Sequence, residues 1–321
     1  MPFIWPSPYT PHFPDFLSGH PKRNLIFGNP DTESARFFVK WDIFTQKIPG
    51  DMIELIVIMK LAVVGKGGTG KTTLTASIAK IYLEKGNRVI LIDADPDANL
   101  SRTLGIKEEV IPLVELKSLI TERTGAEPGK PTIFFTLNPR VDDIPEKFFY
   151  REGNLYLGIM GTVRGGGMGC TCPENTFLKA LLQHLILFQN DMVIMDMEAG
   201  IEHLGRGTSQ GVDWLLTVVE PGEKSVDTAL KIRKLAGELG IKRIGVIGNK
   251  IGNEKEKKFL RERLKDFHFL GFIPYLQGIK EADLKGIPPW EEAPRLLEYS
   301  RKIVVNMEGE NEGKENPGPH V

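Results

Sequence analysis

A doubly wound α/β fold with a mainly parallel sheet is predicted by three features of this 321-residue chain. Short apolar runs alternate with longer amphipathic segments from residue 59 onward. Each run is bounded by turn residues. The first run leads straight into a glycine-rich loop that opens a helix. Near-continuous apolar strands are those buried on both faces, as in a parallel sheet covered by helices. Right-handed crossovers join such strands, and ligands bind at their carboxyl ends.

The elements follow in order. Residues 61–64 form a strand, and 71–85 a helix that Gly86-Asn87 stops. Residues 88–92 are a second strand. The stretch 106–153 carries several prolines and mixes helix with surface loop. Residues 155–159 form a strand leading into a Gly/Cys loop, followed by a helix at 177–188. Strands are expected at 192–195, 214–219, 243–247 and 269–273, with helices at 225–239 and 254–267 between them. Residues 294–305 close the domain as a helix.

The two ends differ from this pattern. Residues 1–58 are rich in proline (Pro2, Pro6, Pro8, Pro11, Pro14) and aromatics, without periodicity and without the features of a signal peptide. They are expected to be an extension, disordered or the product of a mis-called start, with the functional chain beginning near Met59. Residues 59–306 are the expected nucleotide-binding domain. Residues 307–321, rich in Gly, Glu, Asn and Pro, are an expected disordered acidic tail.

Composition excludes some function classes. Net charge is −1, with 41% hydrophobic and 26% charged residues. That balance gives no pull toward nucleic acid or an anionic membrane. The lysines of 255–258 are interleaved with glutamate and read as a solvated helix face. No apolar run approaches the ~20 residues needed to span a bilayer. The only two cysteines, Cys170 and Cys172, stand at i, i+2, poor spacing for a disulfide. A reducing cytoplasm is the expected compartment, with no nucleic acid or membrane as partner.

Gly65-Lys66-Gly67-Gly68-Thr69-Gly70-Lys71-Thr72 fits G-x-x-x-x-G-K-[ST] in full, between a strand and a helix. Its backbone N–H groups, with those of the helix start, cradle phosphates. Lys71 reaches the β- and γ-phosphates and Thr72 ligates Mg²⁺; Thr73 completes the nucleotide-binding set. The extra Lys66 makes the loop resemble the deviant Walker A group of the SIMIBI class, which includes MinD, ParA and the nitrogenase iron protein. The resemblance implies a P-loop ATPase whose Lys66 reaches the nucleotide of a partner subunit.

Downstream residues match the same class. Asp93-Ala94-Asp95-Pro96-Asp97 resembles switch I, so Asp95 is expected to orient the attacking water and Asp93 to support Mg²⁺. The apolar run ending in Asp196 is a Walker B pattern. Mg²⁺ favours one or two carboxylates plus retained waters, so Asp196 is an expected ligand through water. Asp196-Met197-Glu198-Ala199-Gly200 resembles switch II, with the Gly200 N–H sensing the γ-phosphate. Asn249, after its strand, resembles the adenine reader; Pro274 lines the base pocket and Tyr275 follows it.

The cysteines set the expected cargo. One Cys-x-Cys offers two thiolates, too few for a closed metal site. A symmetric dimer brings four together. In square-planar geometry four thiolates suit Ni(II); in tetrahedral geometry they suit Zn(II) or an Fe–S cluster. The run from Gly169 to Asn175, together with that from Asp196 to Gly207, resembles the CooC-type nickel-inserting ATPases that mature carbon monoxide dehydrogenase. The resemblance implies that Cys170 and Cys172 bind Ni²⁺ at a nucleotide-dependent homodimer interface, that ATP hydrolysis releases it, and that a nickel enzyme is the client. A positioning or partition ATPase and an Fe–S carrier are the competing readings. His184, in an apolar run, is expected to pack in a helix; His203 either links switch II to the metal loop or is structural.

Overall fold

The computed structural model describes residues 58–312 except 129, 131–133, 163–171, 188, 190, 202–203, 205–208 and 210, and within helices the side chains of 172 and 310–312 are also left aside. The expected extension, 1–58, lies almost wholly outside the described residues.

The order of elements is β1 (Lys60–Gly65), α1 (Lys71–Glu84), β2 (Val89–Asp93), α2 (Leu100–Thr103), a 3-10 turn (Leu113–Glu115), α3 (Lys117–Thr124), α4 (Ile144–Phe148), β3 (Tyr150–Glu152), β4 (Leu155–Ile159), α5 (Cys172–Leu187) and β5 (Met192–Asp196). Then come β6 (Trp214–Val219), α6 (Glu223–Leu239), β7 (Ile244–Ile251), α7 (Glu254–Arg263), β8 (His268–Pro274), α8 (Gln277–Lys285), α9 (Pro289–Glu292) and α10 (Arg295–Glu312). They form an eight-stranded sheet, order β3-β4-β2-β5-β1-β6-β7-β8. Every pairing is parallel except β3 with β4. The expected doubly wound α/β architecture is therefore the one observed.

Strand alternation explains why the apolar runs are unbroken. Ala62 and Val64 of β1 enter one core, with Ile90, Ile92, Val193 and Met195, beneath α5 and α6. Leu61 and Val63 enter the other, with Leu91, Ile194 and Leu216, beneath α1 and α10. Both faces of each central strand are thus buried, so the runs are apolar almost throughout, with the exceptions, such as Asp93 and Asp196, mostly at strand ends. Burial of this kind stabilises by about 25 cal/mol per Å² of apolar surface.

Several boundaries differ from expectation, each for a packing reason. The closing helix runs on to Glu312 and takes in residues 307–312, expected to lie in the tail. Met307 is fully buried against the α1 side of the sheet, and Lys85 donates to Glu308 at 2.8 Å. Higher up, the buried hydroxyls of Ser77 and Ser300 meet at 2.9 Å, fastening α10 to α1. Strand β7 continues through Asn249 and Lys250, where a register irregularity against β8 and a left-handed Lys250 (φ 57°) interrupt the ladder. The antiparallel β3, and helices α8 and α9, carry too few periodic residues to be read from sequence. Helix α5 begins at Cys172, five residues before the expected 177. Among the described residues, no helix is long and apolar enough to cross a membrane.

Candidate functional site

The site is built where β1, β2, β5, β6 and β7 end. Val63 pairs with Asp196, and Asp196 pairs with Asp93, which pairs with Ile159. One row across the sheet therefore carries Val63, two residues before the phosphate loop, then two carboxylates and the exit of β4.

The loop between Gly65 and Lys71 is held by its neighbours. At Gly65 an added Cβ would strike the carbonyl of Val218 on β6, so only glycine lets β1 lie this close. Gly70 has φ 93° and would strike the Asn249 amide if it carried a Cβ. Asn249 Nδ2 donates to the Thr69 carbonyl at 2.7 Å, and Lys250 Nζ donates to the carbonyl of Gly68. Thr69 Oγ1 closes the turn by donating to the Lys66 carbonyl at 2.9 Å. Gly67 and Gly68 have open space around them. The clamp uses Asn249's amide N–H and leaves its carbonyl oxygen to accept from an exocyclic amine, the donor that adenine offers. Pro274 ends β8 and pairs with Ile251, two residues beyond Asn249 on the neighbouring strand. Tyr275, immediately after it, is exposed.

Lys71 is buried, its ammonium 3.5 Å from Asp95 Oδ2. Asp95 Oδ1 accepts the Asp97 N–H at 3.1 Å, which shapes the switch-I-like turn. Asp93 is fully buried; Oδ1 accepts from Asp95 N at 3.1 Å and Oδ2 from Leu100 N at 2.9 Å. Burial nevertheless pushes its carboxyl up to about 6, with those backbone donors opposing. Asp196 is fully buried at the end of β5, with Thr75 Oγ1 3.5 Å from Oδ1. Its Oδ2 is buried without a hydrogen-bond partner among the described residues. Burial pushes this carboxyl up to about 7; Thr72 and Lys71 oppose the rise, and Asp93 and Asp95 add to it. Thr73 lies half-buried on α1 beside Thr72.

These features test the fit of Mg²⁺. Asp196 Oδ2 is left without a partner among the described residues, and the Thr72 hydroxyl acts on the same carboxyl; a carboxylate and a hydroxyl side by side are donors suited to a hydrated Mg²⁺. Asp93 fits less well, since each of its oxygens already takes a backbone N–H. Its geometry is that of an anchor for the turn bearing Asp95.

Lys66 points along the loop toward Glu220, with Nζ 3.6 Å from Oε1. Glu220 Oε2 is 3.5 Å from Lys250 Nζ. Neither Glu220 nor Lys250 was expected from sequence. Glu220 directly follows β6, and a strand-end acid before Pro221 was the only signal for it. Gly200 lies in the described turn after β5, where the Met197 N–H donates to the Val63 carbonyl at 3.0 Å. Of the two cysteines expected to bind metal, Cys170 lies outside the described residues, and Cys172 is placed only as the first residue of α5. His203 also lies outside them. His184 sits on α5, partly buried, and burial lowers its pKa.

Residues 60–290 match the model of the CobQ/CobB/MinD/ParA nucleotide binding domain. The chain is 44% identical over 253 residues to the carbon monoxide dehydrogenase accessory protein CooC of Rhodospirillum rubrum, covering 78% of this chain and 96% of that protein. An uncharacterised ATP-binding protein of Methanocaldococcus jannaschii is 45% identical over 233 residues, 72% of this chain and 90% of that one. Among solved structures, a ParA family ATPase of Chlorobium tepidum superposes with a TM-score of 0.57 at 19% identity, covering 78% of this chain and 97% of that one. At that identity the likeness is one of fold.

Proposed function

We propose that this chain, which belongs to the CobQ/CobB/MinD/ParA nucleotide-binding family, is a CooC-like accessory ATPase that carries Ni²⁺ on Cys170 and Cys172 of two copies and delivers it to a nickel enzyme such as carbon monoxide dehydrogenase. The ATPase activity is that of the family; the cargo, the homodimer and the client are the proposal. The name of the 44% identical relative supports the client class.

In the hydrolysis step, water adds to the γ-phosphorus as the bond to the β-phosphate oxygen breaks, giving ADP and phosphate. Mg²⁺ bound by Thr72 and Asp196 would neutralise charge on the β- and γ-phosphates. Lys71 contributes a buried cation at the same phosphates. Its 3.5 Å partnership with Asp95 implies exchange: phosphate takes Lys71, and the freed Asp95 carboxylate turns to hold the attacking water. Lys66 of one copy would add charge at the partner's nucleotide, which makes hydrolysis depend on the dimer. Asn249 clamps the loop and reads the base, with Pro274 beside it.

One observation carries the link from nucleotide to metal. The segment bearing both cysteines leaves the sheet after Ile159, which is in register with Asp93 and through it with Asp196. It returns as α5, whose Phe177, Leu181 and Leu185 are rooted in the core under the same strands. The Met160 N–H also donates to the Asp93 carbonyl at 2.8 Å, so the strand end that begins the Asp93–Asp95 turn is bonded to the start of the cysteine segment. Two thiolates per copy make the metal position complete only when two copies meet.

The test is Ni²⁺ binding by equilibrium dialysis with metal analysis. The variant carrying Cys170→Ser and Cys172→Ser is expected to lose Ni²⁺ while keeping ATP affinity. Retention of about one Ni²⁺ per two chains would refute the assignment.

A further inference from the structure

The carboxylate of Glu220 stands between two lysines, one in the phosphate loop and one near the end of β7. Oε1 faces Lys66 at 3.6 Å and Oε2 faces Lys250 at 3.5 Å. Lys250, whose backbone is left-handed, in turn donates to the Gly68 carbonyl inside the loop. The next residue back, Asn249, holds Thr69. Glu220 thus ties Lys66 to the clamp formed by the end of β7. A Lys66 held this way is neutralised by its own chain and cannot at the same time serve a second copy.

We infer that Glu220 is a positioning residue that sequesters Lys66 in cis, so that assembly of the hydrolytic dimer requires Lys66 to leave Glu220 for the partner's nucleotide. This rests on the in-trans reading of Lys66 given above. The exchange is electrostatically reasonable: a triphosphate offers more negative charge than one carboxylate, and ADP, lacking the γ-phosphate, offers less than ATP does. Glu220 therefore biases the chain toward the monomer when ATP is absent, and Lys250 keeps the carboxylate in place as Lys66 departs. The side chains of Lys66, Glu220 and Lys250 are 38%, 28% and 42% exposed, so water screens the pairs and the bias is modest.

The measurement is ATPase rate per chain against protein concentration, which reads dimer assembly, together with ADP affinity at a concentration where the chain is monomeric. Glu220→Gln is expected to lower the half-maximal concentration by roughly two- to fivefold, with ADP affinity unchanged. Glu220→Asp, which keeps the charge, is expected to lie between Glu220→Gln and the wild type. An unchanged or higher midpoint in Glu220→Gln overturns the inference, and so does an equal loss of ADP affinity, which would mark Glu220 as part of the loop scaffold. Lys66→Ala separates the two readings. If it retains wild-type, concentration-dependent hydrolysis, the in-trans role of Lys66 falls. If it abolishes that hydrolysis while Glu220→Gln moves nothing, only the role of Glu220 falls.

Discussion

The ammonium of Lys71 lies 3.5 Å from the carboxylate of Asp95, both withdrawn from solvent, although one opens α1 and the other belongs to the turn after β2. The cation proposed to bind phosphate and the acid proposed to orient water thus form one ion pair. Lys71→Ala is expected to weaken ATP binding by at least about 100-fold, since a buried charged hydrogen-bond partner is lost and Asp95 is left unpaired. Asp95→Ala is expected to bind ATP but hydrolyse it about 10²–10⁴-fold more slowly, and to accumulate as an ATP-bound dimer. Single-turnover hydrolysis and size-exclusion chromatography with ATP check both. Normal turnover in Asp95→Ala would remove it from the mechanism.

Asp196 and Asp93 make the stability of the chain pH-sensitive. Burial lifts their carboxyls from an ordinary 3.8 to about 7 and about 6. Between those values the folded chain holds protons that the unfolded chain has released. Unfolding free energy therefore falls as pH rises through this window. The stability is fully present below about 4 and is lost by about 7 from these two groups. Asp213, also raised to about 6 by burial, adds to the same slope. Asp196→Asn removes its share, so this variant is expected to melt roughly 2–6 °C higher than the wild type at pH 8 without nucleotide. It is also expected to lose Mg²⁺-dependent hydrolysis. In the wild type, Mg²⁺–ATP affinity should weaken below about pH 7, because the cation needs the ionised carboxylate. Melting curves with and without Mg²⁺–ATP across pH 5–8 test both; a variant that melts lower than the wild type at pH 8 contradicts the burial cost.

Asn249 clamps the phosphate loop, and the proposed base contact would be its second duty. Asn249→Ala leaves the Thr69 carbonyl without its 2.7 Å donor and would remove the proposed base contact. ATP affinity is expected to fall by about 10-fold or more, roughly the cost of one unmade buried hydrogen bond. Discrimination between ATP and GTP should narrow as well. Competition binding with both nucleotides measures it. Weaker binding with unchanged selectivity would leave Asn249 as a loop clamp alone.

The phosphate loop, the strands and Asp196 were legible in sequence because each depends on neighbours along the chain. A strand covered on both faces needs an unbroken apolar run, and a phosphate cradle needs glycines at fixed spacing. The resemblance of 93–97 to switch I led to Asp93 as support for Mg²⁺; what no local pattern announces is that its two oxygens also accept the N–H groups of Asp95 and Leu100 and so hold the turn that follows. Helix α10 reads past the expected end because Met307 finds a buried seat on the far side of the chain, which no local pattern announces.

By itself, the sequence determined the class of fold, the nucleotide cradle and the existence of a paired thiol motif, since these are written in contiguous residues whose chemistry is fixed by type and spacing. Tertiary structure alone decided which charges meet. Lys71 finds Asp95 after β2, Asn249 reaches Thr69 across 180 positions, and Glu220 stands between Lys66 and Lys250. The physical reason is the parallel sheet: it gathers the carboxyl ends of distant strands into one edge, and electrostatic partnership depends on distance in space, not along the chain.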